Sequence, residues 1–376
     1  MKASVSTVMN YMEELAPSSI ALPGDPVGLQ IGNPESPVDK ILVALDPDRD
    51  TIEEALKSKA QMIISHHPFI YNKLSSINEA CSSGALVAQA VRSNLHIFSA
   101  HTNLDVTPGG VSYQLAEALK LPIRKTAVLE VTGSKKLLKL VVFVPQGHED
   151  NLLNALSRAG AGQIGRYSHC TFQTSGTGTF MPSADANPFI GSQGQLEKVS
   201  EIRLETIFPA ASRRAIVNTL IENHPYEEVA YDLYPLDLEG EEIGLGLIID
   251  LEKELSLNHL VGKCLGNLET KTLRYWSNGR EGFKRIAICG GSGGSLIEHA
   301  ARRNAGIFIS GDFRYHDLKD AQAMNIALID AGHKATELPV VSYLKDYLKN
   351  KLEAEGYGVE VNLKASTPDS WSYVQG

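Results

Sequence analysis

The sequence predicts an α/β protein: a duplicated three-layer α/β host with mostly parallel sheets, interrupted by an inserted ferredoxin-like α+β domain. Three observations carry this. Near-continuous apolar runs alternate with helical segments over residues 40–101, and the same order returns over residues 284–333. Between them, two strand-like runs each end in a proline that leads into a helical segment. Apolar runs without polar alternation suit strands covered on both faces, and alternation with helices suits a layered α/β fold.

The chain opens with MKASVSTVMNYMEELAP, where Val5, Val8, Met9, Met12 and Leu15 recur at helical spacing. With no unbroken apolar core, the stretch reads as an amphipathic helix and not as a signal peptide. KILVAL at 40–45, QMIISHH at 61–67 and LHIFSAH at 95–101 read as strands, with helices over 50–59 and 85–92 between them. In the second stretch KRIAICG at 284–290, AGIFISGD at 305–312 and IALIDAGH at 326–333 are strands, with helices over 295–304 and around 318–323. Both stretches end in a His followed four residues later by an acid, His101 to Asp105 and His333 to Glu337. Shared order and shared ends together point to internal duplication.

In the intervening region LVVFVP at 140–145 leads into a helix over 149–158, and EIRLETIFP at 201–209 into one over 212–222, followed by a strand over 229–234. Two such units suggest the ferredoxin-like arrangement. Residues 173–196 are rich in Gly, Ser, Pro and Asn, which predicts a long loop. The expected boundaries are 1–125 for the first half of the host, 126–242 for the insert and 243–376 for the second half.

Composition narrows the function classes. A length of 376 residues suits two or three domains. With 35 Lys and Arg against 44 Asp and Glu, a net charge of -9 argues against a nucleic-acid partner. No stretch reaches the roughly 18 apolar residues of a membrane span. The 4 cysteines stand apart with no CxxC pair, which fits a reducing cytoplasm and excludes a thiolate-rich zinc site. The expected location is cytoplasmic.

The chemistry concentrates at strand ends, where open α/β sheets bind ligands. His66 and His67 close the second strand, and Asp105 and Glu337 occupy corresponding turns of the two halves. His66, His67, Asp105, His333 and Glu337 form an N/O donor set suited to Zn, Fe or Mn. Five donors are too many for one tetrahedral ion with an open position and fit two divalent ions per subunit, one carboxylate bridging. Taken singly, each residue reads as well as a hydrogen-bonded cap. Their convergence on matching strand ends favours metal. His101 and His316 are the candidate catalytic acids or bases. His101 reads equally as an outer group orienting Asp105 or a water, and His316, in GDFRYHD at 311–317, as a substrate contact or a surface residue.

Other motifs carry less. GAGQIG at 160–165 follows a helix, so it fails as a dinucleotide fingerprint, and CGGSGGSLI at 289–297 lacks the Lys-Ser/Thr of a P-loop. The latter reads as a tight turn that can also present N–H groups to an anion. His224 is placed to bind metal with Glu227, but a capped loop packing Tyr226 accounts for it better.

SHHPFIY at 65–71, AHTNLDV at 100–106, CGGSG at 289–293, SGDFRYHD at 310–317 and DAGHKATE at 330–337 resemble the NIF-three-like family, whose bacterial members are labelled GTP cyclohydrolase 1 type 2 homologues. GAGQIGRYSHCTF at 160–172, GTGTFMP at 176–182 and HPYEEVAYD at 224–232 are similar to the insert of its longer bacterial forms. The resemblance implies a two-metal site on His66, His67, Asp105, His333 and Glu337, the last bridging. It implies a ring-shaped homohexamer and an insert like the trimer-forming nitrogen-regulator and copper-tolerance domains. One departure stands near the start, where Gly24 and Pro26 flank Asp25 in place of the family's Trp-Asp-Asn. The expected function is a metal-dependent hydrolase of cyclohydrolase or phosphoesterase type acting on a nucleotide-like small molecule, the alternative being a non-enzymatic metal-binding scaffold or regulator.

Overall fold

A computed structural model describes residues 2–122, 126–238 and 240–365. The chain divides into two compact units, residues 1–133 with 243–376, and residues 134–242. The second unit begins at 134 and not at 126, because the strand Thr126–Ser134 lies in a sheet of the first unit, beside Glu242–Ser256.

The first unit holds two large mixed sheets. In one, the strands run in the order Glu360–Leu363, Lys40–Ala44, Met62–Ser65, His96–Ser99, Gly28–Ile31. The first four are parallel, and the last is antiparallel. In the other the order is Arg274–Trp276, Ala327–Asp330, Ile307–Gly311, Gly282–Ser292, Glu242–Ser256, Thr126–Ser134. Here only the pairings of Gly282–Ser292 with Ile307–Gly311 and of Ile307–Gly311 with Ala327–Asp330 are shown as parallel, while Arg274–Trp276 and Glu242–Ser256 run antiparallel to their partners. Parallel pairing thus joins the inner strands that the apolar runs marked, and in the first sheet it also takes in the edge strand Glu360–Leu363.

Alternating side chains explain why those strands are apolar throughout. Ile41 and Val43 pack with Val8 and Met12 of the helix Val5–Leu15 and with Leu344 and Leu348 of the helix Pro339–Ala354. Leu42 and Ile63 face the other way, against Ile52, Ala55 and Ala90. In the second sheet Ile286, Ile288, Ile307 and Ile309 meet Leu115, Ala116 and Leu260, whereas Ala287 and Phe308 meet Ile297, Ala300 and Ala321. Each fully buried Leu or Ile contributes roughly 1.5–3 kcal/mol relative to exposure. Local signals set the helix ends: Asp48 accepts from the Thr51 amide at 2.9 Å to start Arg49–Ser58, and Ser256 accepts from the His259 amide to start Leu257–Asn267.

The two halves exchange covers. The helix Val111–Ala118 of the first stretch packs on the second sheet, and Pro339–Ala354 with strand Glu360–Leu363 completes the first sheet. Residues 339–363 thus belong structurally with the first half, across the boundary expected from the sequence.

The unit of residues 134–242 is built on one antiparallel sheet in the order Tyr231–Pro235, Leu137–Pro145, Glu197–Pro209, Thr171–Phe180. Helices Glu149–Arg158 and Arg213–Asn223 cover one face, with Leu152, Leu156, Ile216 and Leu220 set against Leu140, Val142, Ile202 and Leu204. The long loop expected at 173–196 is shorter, since Thr171–Phe180 is a strand on the sheet edge. Its polar and glycine-rich residues are mostly exposed, so no apolar alternation announces it. Among the described residues no helix is long and apolar enough to cross a membrane.

Candidate metal centre

Strand Met62–Ser65 delivers His66 and His67, and the Ser65 hydroxyl donates to the His67 carbonyl at 2.8 Å, a local bond that holds the chain as the strand ends. The two rings stand only 5.0 Å apart, so the chain does not send them to opposite sides as a continued strand would. Strand His96–Ser99 leads to His101 and the short helix Thr102–Val106, which carries Asp105. Strand Ala327–Asp330 leads through Gly332 to the short helix His333–Glu337. The two His-x-x-x-acid ends are thus both one-turn helices that begin just past parallel strands.

These elements bring the five expected side chains together and add His101. His66 Nε2 is 3.7 Å from both Asp105 Oδ1 and Glu337 Oε1. Glu337 lies 3.0 Å from His67 Nε2 and 3.1 Å from His333 Nε2. The His101 ring is 5.3 Å from that of His66 and 5.8 Å from that of His67. Donor atoms of His66, His67 and His101 lie within 4.8 Å of one another, and so do those of His67, His333 and Glu337. Asp105 is outside both of these tighter groups and approaches through His66.

Each ring is restrained on its far side. His66 Nδ1 donates to the Ala100 carbonyl at 2.9 Å, His67 Nδ1 to Asp46 at 2.7 Å, His101 Nδ1 to Asp25 at 2.8 Å and His333 Nδ1 to Asp312 at 2.8 Å. Fixing Nδ1–H in this way orients the ring and leaves Nε2 as the donor to a metal. One buried atom, His66 Nε2, has no hydrogen-bond partner among the described residues, standing 3.7 Å from both carboxylates, while Glu337 Oε2 is met by His67 Nε2 at 3.0 Å. An orphaned buried atom costs about 1–3 kcal/mol, a cost that a cation at His66 Nε2 would remove. The donor chemistry and this orphaned nitrogen therefore fit a metal.

Without metal the cluster is held by shared protons. Burial disfavours a charged His67, yet Asp46 and Glu337 outweigh it and push its pKa up to about 10. Glu337 raises His333 to about 9 against burial, with Asp312 assisting. His66 is also raised, burial being overcome by Asp105 and Glu337. Burial lifts the Asp105 carboxyl above its ordinary range, whereas Glu337 is held well below its own by His333, His66 and His67 in spite of burial.

The glycine-rich stretch after Cys289 is structural support. Gly291 has φ +69°, and a Cβ there would stand 2.2 Å from Glu337 Oε1. Its amide donates to Thr336 Oγ1 at 3.0 Å, and its carbonyl accepts from Ser310. His316 is exposed on the helix Tyr315–Ala323 with its ring against Tyr315, and it makes no hydrogen bond or ring contact with the cluster. His224 spends both nitrogens locally, donating from Nε2 to the Phe143 carbonyl and accepting at Nδ1 from the Tyr226 amide, each at 3.0 Å. Sequence reasoning missed Asp25, Asp46 and Asp312. The available signal was an acid two residues beyond the strand Lys40–Ala44 and one beyond Ile307–Gly311, and Asp25 in the loop that departs from the family wording.

Fold and site together define an α/β protein with His and Glu groups of metal-binding type at its strand ends. The chain belongs to the Duf34/NIF3 (NGG1p interacting factor 3) family, which matches residues 3–369. It is 39% identical over 372 residues to the GTP cyclohydrolase 1 type 2 homolog of Halalkalibacterium halodurans, covering 99% of each chain. To the protein of that name from Bacillus subtilis it is 36% identical over 371 residues, 98% of each. Among solved structures it is similar to the Bacillus cereus protein related to NIF3, with a TM-score of 0.83 and 37% identity over 99% of both chains.

Proposed function

We propose that this protein binds two divalent ions, of Zn, Fe or Mn, and acts as a metal-dependent hydrolase of cyclohydrolase or phosphoesterase type on a nucleotide-like substrate. The observation that carries it is the placement of three Nδ1-restrained imidazoles, His66, His67 and His333, around Glu337, with His101 beside His66 and His67. His66, His67, Asp105, His333 and Glu337, with His101 beside them, would hold the ions. When bound, such a pair of ions lowers the pKa of a water and polarises the bond under attack.

The chain's own part is positional. Asp25, Asp46 and Asp312 fix the ring tautomers, and Gly291 leaves room for the Glu337 carboxylate. His101 shares the restraint of the three other rings, which supports a ligand role over that of a free acid or base. His316, exposed four residues beyond Asp312, is assigned to substrate contact. The relatives' name, GTP cyclohydrolase 1 type 2 homolog, directs the first substrate choice to GTP. For the insert, a sheet order of fourth, first, third and second strand with two helices on one face supports the ferredoxin-like reading. Assembly into a homohexamer belongs to the same reading and is checked by light scattering.

The test is elemental analysis followed by turnover. Purified protein should carry close to two ions per chain, Glu337→Ala far fewer, and the loaded protein should turn over GTP or a phosphoester above that variant. Two bound ions without turnover of either substrate class would reject the hydrolase and keep the metal centre.

A further inference from the structure

We propose that the unit of residues 134–242 carries a separate binding site for a small organic cation, an ammonium or guanidinium compound. The argument starts from strand Glu197–Pro209, which is central in its sheet. Ile202 and Leu204 face the helices, so Glu201 and Arg203 project from the opposite face. There a cavity of about 640 Å³ is bounded by Phe180, Phe189 and Tyr226 and by Glu201. That volume lies in the range of small-molecule sites.

Glu201 is the unusual group. It is only 8% exposed, although it lines the cavity. Its Oε1 accepts from the Tyr226 hydroxyl at 3.1 Å, and no hydrogen bond reaches Oε2 among the described residues. A Cβ at position 178 would fall 2.1 Å from Oε2, so Gly178 leaves the space the carboxylate occupies. Glu201 Oε2 thus stays open to the cavity, where a carboxylate attracts an opposite charge. The walls supply the remainder of a cation's environment. The Tyr226 ring lies 5.9 Å from that of Phe180 and 6.4 Å from that of Phe189, tilted by 60° and 54°. Aromatic faces within about 6 Å of a cation attract it, the more so when it is desolvated. Arg203 shares Glu205 with Lys139 at 3.0 and 2.8 Å, and since Glu201, Glu227 and Glu228 line the cavity against Arg203, its balance is acidic and disfavours phosphate or other anions. His224 braces Tyr226 and is kept from charging by burial. The proposal is independent of the metal-centre reading, because every residue it uses lies in the other unit.

Calorimetric titration of the full-length protein with tetramethylammonium and with agmatine tests the site, with guanosine as neutral planar control and inorganic phosphate as anionic control. At least one cation should bind at millimolar concentration or below, and neither control should. Glu201→Gln keeps an oxygen for Tyr226 while removing the charge, and it should weaken binding at least about tenfold. Phe189→Ala, a change at a ring 53% exposed and thus safe for folding, should weaken it similarly. Binding of neither cation, preference for guanosine or phosphate, or unchanged affinity in both variants would each overturn the proposal.

Discussion

At the level of single residues, the aspartates behind the imidazoles matter as much as the imidazoles. Asp46 and Asp312 are half-exposed, 48% and 57% at the side chain, so replacing them with Asn disturbs little packing. Each replacement should cost about 10–100-fold in metal affinity, read by competition with a chromogenic chelator, while far-ultraviolet circular dichroism stays unchanged. The raised imidazole pKa values carry a signed prediction for the metal-free protein. His67 at about 10 and His333 at about 9, against an ordinary 6.5, hold protons at neutral pH that an incoming ion must displace. Apparent metal affinity should therefore rise with pH until those values are passed, and proton release on binding should be visible in weakly buffered solution. The same shifts stabilise the metal-free fold fully below pH 6.5, and that contribution is lost as pH rises through about 9 and 10. An affinity flat in pH would mean that the imidazoles are already deprotonated.

Among the elements, the glycine turn after Cys289 and the helix Pro339–Ala354 are the parts on which the centre leans. Gly291→Ala drives a methyl into Glu337 and strains a left-handed backbone, so it should abolish tight metal binding and cost about 1–3 kcal/mol in denaturant unfolding. Leu348→Ala empties a fully buried position against the first sheet and should cost about 2–5 kcal/mol. The strands that carry the histidines were legible because both their faces are covered, which leaves an unbroken apolar run such as Met62–Ile64 in the sequence. Thr171–Phe180 was illegible for the opposite reason, as an edge strand needs pairing but not burial, and its Gly and Thr residues resemble a linker. Glu242–Ser256 also escaped, although its first half alternates Ile and Leu with Gly, because glycines obscure period two. The clustered histidines and acids could be found from matching strand ends. Their outer partners could not, since Asp25 meets His101 from 76 residues away and Asp46 meets His67 from 21.

On the scale of the whole chain, the unit of residues 134–242 brings its own two ends together. The Lys135 amide donates to the Glu241 carbonyl at 2.9 Å, so the two ends of the inserted unit lie side by side. Replacing residues 135–241 with a short glycine turn should give a folded host that still binds metal, checked by thermal melting with and without added ion. An excised host that aggregates would show that the insert is needed for folding. The exchange of covers between the halves has a temporal meaning. When the ribosome has made the first 338 residues, the first sheet still lacks its flanking parallel strand and the amphipathic cover that carries Leu344 and Leu348. All the imidazoles and carboxylates of the cluster have by then been synthesised, yet the sheet that positions His66, His67, His101 and Asp105 is unfinished. A nascent chain therefore cannot complete this cluster before residue 363 is made, and a fragment released earlier would expose apolar surface prone to aggregation.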